Sequence, residues 1–179
     1  MFTKIKDGPE IEVRYVVSML DTDIFNCPSR EIVQGYIRST VLSYLRVRII
    51  DGRRAFIGRK TGRGLNRLER EWEVPLWMGY LLLPLCRGRV LHKRRYLRDG
   101  WEVDVFGREL RGLVIAEREI KSEDEPVQPP QWMQVFKNVT SWLSNQELAL
   151  LARELRKQPL EISIRDYVCN RFMPAALDD

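Results

Sequence analysis

Charged and apolar residues alternate with a period of two in five stretches of the chain. They are Glu10-Ile11-Glu12-Val13-Arg14-Tyr15, Leu45-Arg46-Val47-Arg48-Ile49, Leu68-Glu69-Arg70-Glu71-Trp72-Glu73-Val74, Trp101-Glu102-Val103-Asp104-Val105 and Ala116-Glu117-Arg118-Glu119-Ile120. Such a period sends alternate side chains to opposite faces of a strand. Adding extended pieces at 32–38, 54–60 and 89–97 gives eight candidate strands, with Asp51-Gly52 and Asp99-Gly100 as hairpin turns. Residues 76–85 read as a short helix and 145–157 as an amphipathic one carrying Leu148, Leu151, Ala152 and Leu155 on one face. Residues 162–170 fit either a helix or an extended segment.

The expected fold is mainly β with flanking helices: an eight-stranded antiparallel closed barrel with a charged lumen. The ordinary alternative fills the core with Ile11, Val13, Tyr15, Val47, Trp72 and Val103 and leaves the charges in water. Two features favour charges inside. The helices carry apolar faces that need a partner, and the outer wall of a barrel supplies one. Acids and bases also group on one face: Glu10, Glu12, Glu69, Glu71, Glu73, Glu102, Asp104, Glu117 and Glu119 with Arg14, Arg46, Arg48, Lys60, Lys93 and Arg95. Unpaired buried charge is expensive, so a wet interior holding cations and phosphates is the consistent arrangement.

Composition narrows the picture further. The 179 residues, 44% hydrophobic and 31% charged, suit one domain, read as a barrel unit over 1–132 and a helical tail over 133–179 that packs on or plugs it. A net charge of +5 points weakly to anionic partners. Pro75, Gly79 and Pro84 interrupt the longest apolar run, so no membrane span is expected, and no export signal is seen. Cys27, Cys86 and Cys169 are widely spaced and suggest reduced thiols in a cytoplasmic protein; His92 is the single histidine, which argues against zinc. Carboxylate oxygens in such number suit Mg²⁺ or Mn²⁺, and the Arg and Lys rows suit phosphate oxygens. Gly58-Arg59-Lys60-Thr61-Gly62 lacks the glycine pattern of a phosphate-binding P-loop.

Taken in order, these segments resemble the CYTH superfamily, the triphosphate tunnel metalloenzymes, in its bacterial short inorganic-triphosphatase-like group. The likeness rests on Glu10-Ile11-Glu12-Val13-Arg14, Gln34-Gly35-Tyr36, Leu45-Arg46-Val47-Arg48, Lys60, Arg67-Leu68-Glu69-Arg70-Glu71, Lys93-Arg94-Arg95-Tyr96 and the strand around Glu117 and Glu119. It implies an eight-stranded tunnel and divalent-metal hydrolysis of a terminal phosphoanhydride, with inorganic tripolyphosphate the favoured substrate. By that likeness Glu10, Glu12, Glu69, Glu71, Asp104, Glu117 and Glu119 hold Mg²⁺ or Mn²⁺. Arg14, Arg46, Arg48, Lys60, Lys93 and Arg95 grip phosphate, and Glu12, Glu71, Glu119 and Arg14 are catalytic. Two departures stand out: Arg14 occupies a position where the family signature has lysine, and Val139–Asn145 lacks the family's closing Asp-x-Arg-Tyr-x-Asn segment.

The expected partner is a triphosphate-containing small molecule, with the protein a monomer or homodimer. A cyclase making cyclic AMP from ATP and a non-catalytic polyphosphate or nucleic-acid binding module are the alternatives.

Overall fold

The computed structural model describes residues 3–38, 43–61, 67–158, 160 and 162–172, with side chains described for these except 6–10, 38, 43, 60, 61, 67 and 68. Ten strands form one antiparallel sheet: β1 (Thr3–Glu10), β2 (Glu12–Leu20), β3 (Ser29–Arg38), β4 (Ser43–Ile50), β5 (Arg54–Thr61), β6 (Arg67–Val74), β7 (Val90–Arg98), β8 (Trp101–Phe106), β9 (Val114–Glu119) and β10 (Met133–Asn138). Their hydrogen-bonded order is β1-β6-β5-β4-β3-β7-β8-β9-β2-β10. Among the described residues three α-helices accompany it: α1 (Leu76–Leu82), α2 (Asn145–Leu155) and α3 (Ile164–Phe172). The segment at 162–170 is therefore helical.

The expectation of an eight-stranded closed barrel is overturned. Among the described residues there are ten strands, and no ladder joins the two ends of the sheet. One long alternating stretch is in fact two strands divided at Ile11. β1 pairs with β6, whereas β2 pairs with β9, and the Ile11 carbonyl accepts from Ile120 N–H. The two flanks are thus linked by covalent chain instead of a closing ladder. The missed strands are the edges. β1 carries Gly8-Pro9, which reads as a turn but is tolerated where no neighbour needs the missing N–H. β10 lies beyond a proline-rich stretch, and its neighbour is β2, 113 residues upstream by the Met133–Leu20 pairing.

Local chemistry explains the hairpins. Asp51 and Gly52 join β4 to β5 with φ of 52° and 63°, and Asp99 and Gly100 join β7 to β8 with 51° and 77°. Both pairs meet the left-handed requirement of a type I′ turn.

Each face of the sheet is packed differently. One face carries Tyr15, Val17, Trp101, Val103 and Ala116, which bury against Ile24 and Met133. On the same side, Ile49, Ala55 and Val74 are covered by Leu76 and Met78 of α1. The opposite face is charged over much of its length and apolar at one end. There Val16, Tyr36, Leu91, Phe106 and Ile115 meet Leu148, Leu151 and Leu155 of α2 and Val168 of α3. A Ser144–Glu147 capping box starts α2, whose apolar stripe seals this end.

The sheet is also curled. Four inter-strand steps separate β2 from β3, roughly 19 Å if flat. Yet the Tyr36 hydroxyl feels the charge of Arg14 as well as that of Arg46.

Candidate active site

Strand register brings the charges together on this curled face. Arg14 stands directly opposite Glu117, Glu12 opposite Glu119, and Glu102 opposite Glu117 on its other side. On the far flank Arg46 and Glu71 lie on either side of Gly58, and Arg48 pairs across from Gln34. The absent side chain at Gly58 matters here, because a Cβ would meet Arg46 Nε and Nη2 at 3.4 Å.

Two ion-pair networks result. In the first, Arg46 Nη2 donates to Glu69 Oε1 and, at 2.7 Å, to Glu71 Oε1, while Arg48 Nη2 donates to Glu71 Oε2. In the second, Arg95 chelates Asp104 through Nε and Nη2, both at 2.7 Å, and reaches Glu117 Oε2 at 2.8 Å. Lys93 Nζ donates to Asp104 Oδ2, and Arg95 Nη1 to Glu102 Oε2. Arg14 joins this second network, with Nη2 at 2.7 Å from Glu117 Oε1 and 3.0 Å from Glu12 Oε1.

Burial sharpens every one of these charges. Asp104 is fully enclosed, and Arg14, Arg46, Lys93, Glu69, Glu71 and Glu117 are also buried. Burial drives the Lys93 ammonium down to about 8, with Arg95 adding to the effect and Asp104 opposing it. Arg48 is likewise lowered, by burial and then by Arg46. Burial works against ionisation of Glu71, but Arg48 and Arg46 hold it below the usual carboxylate range. Burial works against the Arg95 charge, but Asp104, Glu117 and Glu102 together raise it well above its ordinary value. Tyr36 is pushed up to about 12 by burial, against the pull of Arg46 and Arg14.

Two donors stand apart. The Nε atoms of Arg46 and Arg48 are buried and have no hydrogen-bond acceptor among the described residues. A guanidinium N–H left in that state is costly and suits a guest that brings oxygen acceptors.

Comparison with known proteins places this geometry in a lineage. No family model matches the chain. Over 133 residues it is 34% identical to an inorganic triphosphatase of Acetivibrio thermocellus, a match covering 70% of this chain and 83% of that protein. An inorganic triphosphatase of Nitrosomonas europaea is 35% identical over 132 residues, covering 69% and 85%. The chain belongs to the CYTH superfamily of triphosphate tunnel metalloenzymes. A solved structure of an inorganic triphosphatase superposes with a TM-score of 0.56 at 30% identity, covering 79% of this chain and 94% of that one.

Within this CYTH chain, most of the residues singled out from sequence converge. Glu12, Glu69, Glu71, Asp104, Glu117 and Glu119 lie on the charged face with Arg14, Arg46, Arg48, Lys93 and Arg95. Glu119 sits at the exposed margin. Glu10 and Lys60 end up in register with Arg67 and Glu69, but their side chains lie outside the described residues. Glu73 belongs to the rim, held by exposed Arg54 at 2.8 Å.

Sequence reasoning assigned no binding role to Gln34, which is buried and donates from Nε2 to the Tyr36 hydroxyl at 2.5 Å. It also missed the contacts of the segment after β10. Thr140 Oγ1 accepts from Arg14 N–H at 2.9 Å, and the Leu143 carbonyl accepts from Arg14 Nη1 at 2.6 Å. No local pattern announces these contacts, since they bridge more than a hundred residues. Among the described residues no helix is long and apolar enough to cross a membrane.

Proposed function

We propose that the protein hydrolyses the terminal phosphoanhydride of triphosphate compounds with a divalent cation, and that inorganic tripolyphosphate is its preferred substrate. The observation that carries this reading is the pair of buried Nε donors on Arg46 and Arg48, without an acceptor among the described residues, beside carboxylates on the same face. The two inorganic triphosphatases to which the chain is 34% and 35% identical support it.

The acids fit a hard cation. Glu12 faces Glu119 across β2 and β9, and Glu102 faces Glu117 across β8 and β9. Arg95 already lies between Glu102 and Glu117, and a divalent cation at Glu12 and Glu119 would offset the repulsion of like charges placed opposite one another there. Among the described residues no three such ligands gather into a closed cage. Mg²⁺ commonly takes only one or two carboxylates and completes its shell with water and substrate phosphate. Glu12 and Glu119 would hold it, with Glu117 as a further ligand. When bound, the cation neutralises charge on the phosphate chain and lowers the pKa of a water.

The chain's own groups do the rest. Arg46 and Arg48 present their free donors to phosphate oxygens, and Lys93 and Arg95 add positive charge from the facing network. Their fixed positions stabilise the charge that builds on the leaving oxygens. Water adds to the terminal phosphorus, the bridging P–O bond breaks, and orthophosphate and pyrophosphate form.

A panel of tripolyphosphate, ATP, GTP and thiamine triphosphate, each with Mg²⁺ or Mn²⁺ and each read for all products, tests the reading. Orthophosphate release fastest from tripolyphosphate, lost on chelation, is expected. Cyclic AMP and pyrophosphate from ATP without orthophosphate would identify a cyclase instead. Binding of all four without turnover would leave a binding module.

A further inference from the structure

Arg14 is placed unlike the other bases of the charged face. Its two terminal nitrogens point to different bodies. Nη2 serves Glu12 and Glu117, from neighbouring strands, at 3.0 and 2.7 Å. Nη1 is spent on the Leu143 carbonyl at 2.6 Å, in a buried contact. The backbone of the same residue grips the same segment: Arg14 N–H donates to Thr140 Oγ1 at 2.9 Å, and the Arg14 carbonyl accepts from Val139 N–H at 2.9 Å.

The segment held in this way is the root of the helical cap. Val139 and Leu143 are buried in the cluster that α2 and α3 form on the apolar end of the sheet. Ser144, the residue after Leu143, caps α2. One side chain therefore spans the acids and the cap. Lysine could not make both contacts in this way, because its donors radiate from a single nitrogen, whereas a guanidinium carries separate donors at the two ends of a rigid fork.

We propose that Arg14 is a positioning residue that fastens the C-terminal cap to Glu12 and Glu117, and that it does not grip substrate. The proposal rests on the triphosphatase reading of this face for its kinetic consequences, but not for its structural ones. The acids contributed by β2 and β9 keep their spacing because Arg14 lies between them, and Arg14 keeps its own direction because the Leu143 carbonyl holds its other end.

Amide hydrogen exchange and steady-state kinetics on Arg14→Lys, Thr140→Val and Arg48→Lys test this in the full chain. In Arg14→Lys, exchange over residues 139–155 should quicken by about tenfold without substrate, as expected for a loosened local unit. With tripolyphosphate, kcat should fall about tenfold while KM stays within about threefold, the signature of a lost positioning interaction. Thr140→Val loosens the same joint from the cap side and should move both readouts in the same directions, should Arg14→Lys fail to fold. Arg48→Lys should raise KM and leave exchange over 139–155 unaltered. Unchanged exchange in both Arg14→Lys and Thr140→Val overturns the coupling, whatever the kinetics. A tenfold rise in KM for Arg14→Lys overturns the positioning role and makes the residue a substrate ligand, while a kcat that holds or increases overturns the positioning role by itself. If the unmodified protein hydrolyses no triphosphate, the functional reading fails, while the exchange data still decide the coupling.

Discussion

Lys93 gives the most direct test of whether the charged face is as enclosed as the geometry describes. Its amine has a pKa near 8 in the folded protein against an ordinary 10.5, with burial the main cause. Between those values the unfolded chain keeps a proton that the native state has released. Stability must then rise with pH across that window, because the unfolded state binds more protons there. The whole gap corresponds to about 3 kcal/mol, of which about 1 kcal/mol falls between about pH 8 and pH 9. Lys93→Met removes the effect and leaves Asp104 with its two bonds from Arg95.

Urea unfolding of both proteins at about pH 7, 8 and 9 measures it. Subtracting the variant cancels Cys86 and Tyr36, whose pKa values are raised to about 11 and 12 and which therefore lose stability as pH climbs. The difference in unfolding free energy should move in favour of the unmodified protein by about 1 kcal/mol from pH 8 to pH 9. A difference that stays flat, or moves the other way, refutes the burial argument for this site.

Other expectations are simpler. Glu12→Gln and Glu119→Gln should each lower tripolyphosphate turnover by at least about a hundredfold with an unchanged circular dichroism spectrum, if those acids hold the cation. Near-normal rates would remove them from the site. Leu151→Ala opens a cavity where α2 seals the sheet and should cost about 2–5 kcal/mol in urea unfolding. In Gly79→Ala the new Cβ would stand 2.6 Å from the Cβ of Ala55 and 3.2 Å from Ile49 Cγ1. The shift of α1 away from the sheet should cost about 1–3 kcal/mol, seen as a lower Tm, with turnover preserved because α1 packs on the face opposite the charges.

Alternation identified most of the strands that build the charged face, since side-chain direction along a strand depends only on parity, while Lys93 and Arg95 came from an extended piece outside those stretches. It also separated Glu12, Glu69, Glu71, Asp104 and Glu117 from the apolar residues between them, and the two Asp-Gly turns followed from their tolerance of positive φ. Which face would be enclosed was a weaker inference. It rested on apolar helices needing a partner and on the grouping of acids and bases, and α1 does cover the face opposite the charges. The helices α2 and α3, however, lie on the apolar end of the charged face itself. Periodicity could show that Leu148, Leu151 and Leu155 share one side of α2, but not what they would touch.

What the amino-acid order determined by itself was therefore local: strand parity, turn chemistry, the apolar stripe of α2, and a mixed stock of acids and bases facing one way. Tertiary structure decided the rest. The division at Ile11, the edge pairing of β1 and β10, the seating of the cap and the bond from Arg14 to Leu143 all join residues far apart in the chain. Contacts of that kind depend on how a whole sheet bends and on which surfaces remain to be buried. Neither leaves a periodic trace in the segments that make them.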